Sequence, residues 1–185
     1  MLSWKPLTAK TWRDFETLAG KRGLCAGCWC MLWRLGAKDY EAGKGAKNKA
    51  RLKRLAQAKR PPGIVVYAGG VPAAWCSVGP RADFIRLTGS KVLAPVDEKP
   101  VWSLTCFYVA PAFRRKGLTA SIIRAAEAFA KDKGAKILEA YPIDTGGKPY
   151  GASFAWTGFV SSFRKCGYRQ AARRSPTRPI MRRAL

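Results

Sequence analysis

The sequence predicts a mixed α/β domain of the α+β type, a largely antiparallel central sheet flanked by helices. Three observations carry that reading. Short runs rich in β-branched and aromatic residues recur at 64–68, 71–78, 101–109, 136–141 and 168–173. The first two are joined by Gly69-Gly70, a two-residue turn that tolerates positive φ and so makes an antiparallel hairpin. Between the runs lie stretches with apolar residues at three-to-four spacing, the mark of helices with one buried face. The 185 residues suffice for one domain with a full core, and no internal repeat is visible.

Taken in order, residues 1–9 read as an edge strand around Trp4-Lys5-Pro6-Leu7, because Pro6 has no N–H to give a central ladder. Thr8 or Thr11 caps a helix over 11–19, with Trp12, Phe15 and Leu18 on one face and Gly20 and Gly23 ending it. Residues 23–35, GLCAGCWCMLWRL, gather Trp29, Met31, Trp33 and three cysteines. Residues 36–62 are strongly basic and hold a helix over 47–59, stopped at Arg60-Pro61-Pro62-Gly63. The hairpin follows. Residues 82–100 are long for a link between neighbouring strands and are expected to be a functional flap, with Asp97 and Glu98 at its end. After the strand at 136–141 come Pro142-Ile143-Asp144, a Gly-rich loop over 145–152, a short helix over 159–165 and a last strand over 168–173. The tail, 172–185, carries five arginines and two prolines, and reads either as an edge strand or as loose chain.

The centre of the chain is 101–130, a strand, a tight basic loop and a long helix. Pro111 ends the strand. The helix, over 118–131, places Leu118, Ile122, Ala125, Ala126, Phe129 and Ala130 on one face. Between them stands Arg114-Arg115-Lys116-Gly117-Leu118-Thr119. A helix N-terminus presents unpaired N–H groups and a positive dipole end, which suits phosphate. Gly117 lets the backbone turn and a ligand come close. The three cations make a pyrophosphate a better fit than a single carboxylate.

Arg114-x-x-Gly117-x-Thr119, preceded by Val109-x-Pro111, resembles the acetyl-CoA loop of the GCN5-related N-acetyltransferases. That loop runs Arg or Gln, two residues, Gly, one residue, Gly or Ala; Thr119 is the departure. The specific motifs cover 101–170. The resemblance implies residues 1–100 as an acceptor-side half, 101–170 as the acetyl-CoA core and 172–185 as a basic tail. It implies direct transfer of acetyl from acetyl-CoA to a small-molecule or peptide amine. Phe107, Tyr108 and Val109 would pair with the pantetheine arm, and the N–H groups of Arg115, Lys116, Gly117, Leu118 and Thr119 would hold the pyrophosphate. The 23–35 segment would be either a packed core turn or a wall of the acceptor site. The family's helix–Gly-aromatic–strand ending also recurs, but its usual tyrosine position is Phe163, which has no proton to donate.

The acid–base candidates follow from what the chain lacks. With no histidine, Ser-His and Cys-His nucleophiles and histidine metal sites are excluded. Glu139 is the first candidate base, on the strand beside the central one, with Asp144 and Asp97 as rivals. Tyr108, Tyr141 and Tyr150 are the candidate acids. Cys25-x-x-Cys28-x-Cys30 lacks the second pair of a zinc site, so no metal is expected and the cysteines read as small buried residues.

Net charge is +24, from 35 basic and 11 acidic residues. A field of that sign attracts polyanions, so a nucleic-acid partner stands beside simple solvation as its meaning. No apolar run approaches a membrane span, and the first residues lack a signal-peptide core, so a cytoplasmic protein is expected. Two alternatives to an enzyme follow: a basic nucleic-acid-associated protein on the same fold, directed at RNA or aminoacyl-tRNA, and, from Phe163, a coenzyme A-binding regulator of weak activity.

Overall fold

A computed structural model describes residues 2–151 and 155–185. Residue 1 of the expected edge strand and residue 152 of the Gly-rich loop lie outside the described residues. Among those described, one seven-stranded sheet runs in the order β1-β2-β3-β4-β5-β7-β6. The strands are β1 (Leu2–Pro6), β2 (Gly63–Ala68), β3 (Val71–Pro80), β4 (Trp102–Val109), β5 (Ile137–Ala140), β6 (Arg169–Arg173) and β7 (Pro179–Ala184). Neighbouring strands are antiparallel except β4 and β5, as a largely antiparallel sheet requires. The helices are α1 (Trp12–Ala19), α2 (Ala37–Gly43), α3 (Ala46–Gln57), α4 (Ile85–Thr88), α5 (Leu118–Asp132) and α6 (Val160–Lys165). None among the described residues is long and apolar enough to cross a membrane.

Strand alternation builds a core on each side of the sheet. Ile64 and Val66 of β2 and Ala74, Cys76 and Val78 of β3 pack with α5 and α6. Val65, Tyr67 and Trp75, the residues between, pack with α1, α3 and Leu24, Trp29, Cys30 and Met31. On the first face Phe129 of α5 is fully buried, with Trp4 at 6.1 Å and Trp102 at 6.0 Å edge-on to its ring. Truncating such a ring to alanine costs about 3–5 kcal/mol, so this contact strongly fixes the position of α5.

Three expectations are corrected. The basic stretch at 36–62 holds two helices, because Lys44 and Gly45 break the chain between α2 and α3, where Gly45 takes φ 84°. The 82–100 connection is no flap. Phe84, Leu87 and Leu93 are buried with Tyr141 and Ile180 in a third cluster, and that apolar contact pins it down. The tail is neither edge nor loose: β7 sits between β5 and β6, with Ile180 and Met181 buried. Its arginines are neutralised by carboxylates from elsewhere, Arg182 by Glu139 and Asp97, Arg183 by Glu127. That removes the obstacle to an interior strand.

Candidate active site

The site begins where β4 and β5 part. They are paired only at Trp102↔Leu138, Ser103↔Glu139 and Leu104↔Ala140. On the other side of β4, Val78 faces Leu104 while Ser77 faces Cys106, so Thr105 is an extra residue, a β-bulge. The bulge resets the alternation: Leu104 and Phe107 share the α5 face, and Cys106 and Tyr108 take the α1 face. Beyond it, β4 is paired with β3 alone.

Backbone groups alternate along a strand, so one set of β4 N–H groups points to β3 and the other to the open side. Ala110 N–H reaches Ala73 on β3. Phe107 N–H points the other way and donates to the Trp156 carbonyl at 2.6 Å. Val109 falls in the same set as Phe107, and its carbonyl accepts Arg114 Nε at 2.9 Å. Phe107, Tyr108 and Val109 thus form a strand edge that opens onto the basic loop.

That loop leads straight into α5. Arg115 takes φ 60° and Gly117 takes φ 72°, both left-handed. A non-glycine residue in that region is strained, which marks functional loops more often than ordinary ones. Gly117 is the N-cap of α5 and no side chain caps the helix, so its first N–H groups keep no partner from a cap. A Cβ built on Gly117 would meet nothing within 4 Å, so glycine here serves the backbone conformation and open access. Arg114, Arg115, Lys116 and Gly117 are exposed; Leu118 and Thr119 are half-buried in the first turn. The Arg114 guanidinium lies 5.8 Å from the Tyr108 ring centre, linking loop and strand edge. Uncapped N–H groups, left-handed turns and three cations together fit a pyrophosphate.

Of the predicted catalytic residues, Tyr108 lies on this edge, and the carboxylates are held by arginines elsewhere. Glu139 has no exposed area. Its carboxylate accepts Arg81 Nη1 at 2.7 Å, Arg182 Nε at 2.6 Å and the Tyr141 hydroxyl at 2.6 Å. It is the buried counter-ion of two arginines and does not face the opening. Tyr141 is buried with it, bonded to Ser103 at 2.7 Å, and burial pushes its hydroxyl well above the ordinary range. Asp144 pairs with Arg173 at 2.6 Å, and Asp97 pairs with Arg182 at 2.8 Å. Those arginine hydrogen bonds hold both carboxyls below their usual range. Tyr150 is exposed, its ring edge-on to Phe159. Tyr108 is half-buried on the open part of β4, and its hydroxyl makes no hydrogen bond among the described residues. Phe163 is buried, its ring 6.0 Å from Phe107 and 5.0 Å from Tyr168.

Sequence reasoning missed Arg81 and Arg182 as partners of Glu139, and Trp156 as the partner of Phe107. An excess of arginine over acid makes it expected that each buried acid is claimed, but not by which arginine. Among the described residues no three His, Cys, Asp or Glu side chains are grouped to hold a metal ion.

A family model described as the acetyltransferase (GNAT) family matches residues 29–146, more than half of the chain. No curated protein sequence matches. Among solved structures, a GNAT-family acetyltransferase from Listeria monocytogenes is 10% identical, with TM-score 0.58 over 100% of this chain and 95% of that one. The PaiA N-acetyltransferase of Thermoplasma acidophilum in complex with coenzyme A is 13% identical, with TM-score 0.54 over 100% and 99%. The ribosomal-protein-S18-alanine N-acetyltransferase of Escherichia coli is 12% identical, with TM-score 0.51 over 100% and 94%. At these identities the likeness is one of fold.

Proposed function

The chain belongs to the acetyltransferase (GNAT) family, whose co-substrate is acetyl-CoA, and from that premise we propose that it transfers acetyl directly to a primary amine. The observation that carries the reading is the open β4 edge running into an uncapped, glycine-led helix N-terminus. When bound, acetyl-CoA supplies an acetyl thioester as the electrophile and a thiolate as the leaving group.

The chain's own residues then have distinct tasks. The N–H groups of Arg115, Lys116, Gly117, Leu118 and Thr119 hold the pyrophosphate. The edge of Phe107 and Val109 takes the pantetheine arm as an added strand. Phe107 N–H exchanges the Trp156 carbonyl for the thioester oxygen and stabilises the charge that develops there. Tyr108 donates a proton toward the departing sulfur. That demand is modest, since a thiol has a reference pKa of about 8.5. Glu139, Asp144 and Asp97 are each tied to arginine, so the acceptor amine releases its proton to water. The surrounding positive charge favours the neutral amine. Holding amine and thioester in line supplies much of the acceleration.

Calorimetric titration with acetyl-CoA, with dephospho-CoA and ATP as controls, tests the reading. Selective binding of acetyl-CoA, abolished in Gly117→Glu, is expected. Equal binding of all three, or tight binding retained in the variant, would overturn the assignment of the loop.

One observation favours a second reading, an amine acceptor carried on RNA. A groove of about 560 Å³ between α5, α6, β6 and β7 is lined by Arg124, Arg164, Lys165, Arg169 and Arg183. Arg124 and Arg183 share Glu127, whereas Arg164, Lys165 and Arg169 form no ion pair among the described residues. The expected result is selective RNA affinity that falls steeply with salt, and with a shallower salt slope in Arg164→Ala/Arg169→Ala. Weak binding without preference would reduce the groove to a solvated surface.

A further inference from the structure

Arg178 stands at the opening between β4 and β5 with a charge that the chain does not balance. Pro179, which starts β7, restricts the residue before it to extended backbone, and the buried Ile180 and Met181 anchor the strand. The Arg178 side chain is half-buried. Its Nη1 donates to the Tyr141 carbonyl at 3.3 Å and to the Thr157 hydroxyl at 3.0 Å. Both partners are fully buried. Tyr141 directly follows Ala140, the last β5 residue paired with β4. Thr157 directly follows Trp156, whose carbonyl takes Phe107 N–H at 2.6 Å. The guanidinium therefore bridges the two sides of the opening, a small molecule's length from the N–H assigned to the thioester oxygen.

In the same β6–β7 hairpin Arg173, Arg182 and Arg183 each reach a carboxylate. So does Arg81, which also donates to the Tyr141 hydroxyl. Arg178 reaches none among the described residues, and these include every Asp and Glu of the chain. A cation taken out of water without a counter-ion is costly. Burial holds the Arg178 pKa below the ordinary arginine value. With Nη1 engaged, Nε and Nη2 make no hydrogen bond among the described residues. Their N–H groups lie parallel on one edge of the guanidinium, the fork that grips a carboxylate with two bonds. One guanidinium balances the single charge of a carboxylate. A phosphate monoester brings about 1.5 to 2 charges at pH 7 and calls for a second cation.

We propose, resting on the transferase reading, that Arg178 binds a carboxylate of the acceptor, and that the acceptor is a small amine bearing a carboxylate, an amino acid or a compound of that class. Thr157 and Tyr141 hold the guanidinium in place. Its Nε–Nη2 edge takes both carboxylate oxygens, and the amine of the same molecule is thereby aimed at the thioester carbon beside Phe107. An amine without the carboxylate loses that hold and leaves the guanidinium unpaired, so the site separates the two.

The test is calorimetric titration of the whole protein, with coenzyme A present, using the common amino acids and amines that lack only the carboxylate, such as cadaverine for lysine and tyramine for tyrosine. Phosphoethanolamine is the phosphate probe. At least one amino acid is expected to bind at least tenfold more tightly than its matched amine. Arg178→Gln should abolish that difference, with melting temperature and acetyl-CoA affinity unchanged. Arg178→Lys, which keeps the charge and loses the fork, should restore only part of it. No amino acid bound, matched amines bound equally well, phosphoethanolamine preferred, or a preference that survives in Arg178→Gln would each overturn the proposal. In turnover with acetyl-CoA, kcat/KM for the amino acid should fall at least tenfold in Arg178→Gln while KM for acetyl-CoA stays the same. If an amino acid binds through Arg178 and no acetyl is transferred, the transferase reading fails and the carboxylate site stands.

Discussion

Glu139→Gln separates a structural carboxylate from a catalytic one. The substitution keeps shape but removes the charge that two guanidiniums share, at 2.7 Å from Arg81 and 2.6 Å from Arg182. One amide oxygen still accepts, but the amide NH₂ now faces an arginine donor. Removing one partner of a buried ion pair costs about 3–5 kcal/mol. Arg182 keeps Asp97, and the two arginine side chains are 12% and 14% exposed, so the lower end applies, about 3 kcal/mol. For a chain of this size, at about 2–4 °C per kcal/mol, the melting temperature should fall by roughly 6–12 °C. Thermal unfolding by circular dichroism measures it, with acetyl-transfer rate measured on the folded variant. The expected outcome is a large thermal loss and a nearly unchanged rate per folded molecule. A shift under about 2 °C with a hundredfold loss of rate would refute the reasoning and return Glu139 to the chemistry.

Tyr108→Phe should lower kcat by about 100-fold, with KM for acetyl-CoA unchanged, because the hydroxyl acts on the leaving group and not in binding; an unchanged kcat in steady-state assays removes Tyr108 from the reaction. Asp97 and Asp144 have folded pKa values below their unfolded ones, so the stability they confer is complete above the ordinary carboxylate range, about pH 4, and is lost as pH falls through the lowered values. Melting temperature should accordingly drop below pH 4, and less steeply in Asp97→Asn; an identical slope in that variant would show that the Arg182 pair does not matter to acid stability.

The strand–loop–helix at 101–130 was legible because its determinants are local. Pro111 has no N–H to extend the β4 ladder, Gly117 permits one kind of turn, and the spacing of Ile122, Ala126 and Phe129 repeats with the helix itself. The uncapped helix start at Gly117 follows from the same residues, since a helix N-terminus carries its N–H groups whatever surrounds it. The hairpin at Gly69-Gly70 was legible for the same reason. The surroundings of the candidate carboxylates were not. Whether Glu139 faces a cleft or an arginine depends on Arg81 and Arg182, residues 58 and 43 positions away, brought beside it by β3 and β7. The place of β7 between β5 and β6 is a choice of sheet order, settled by burial of Ile180 and Met181 and by distant carboxylates. Local propensity and turn chemistry act over a few residues and can be read along the chain. Register, burial and charge pairing are properties of neighbours in space, and only the folded sheet names them.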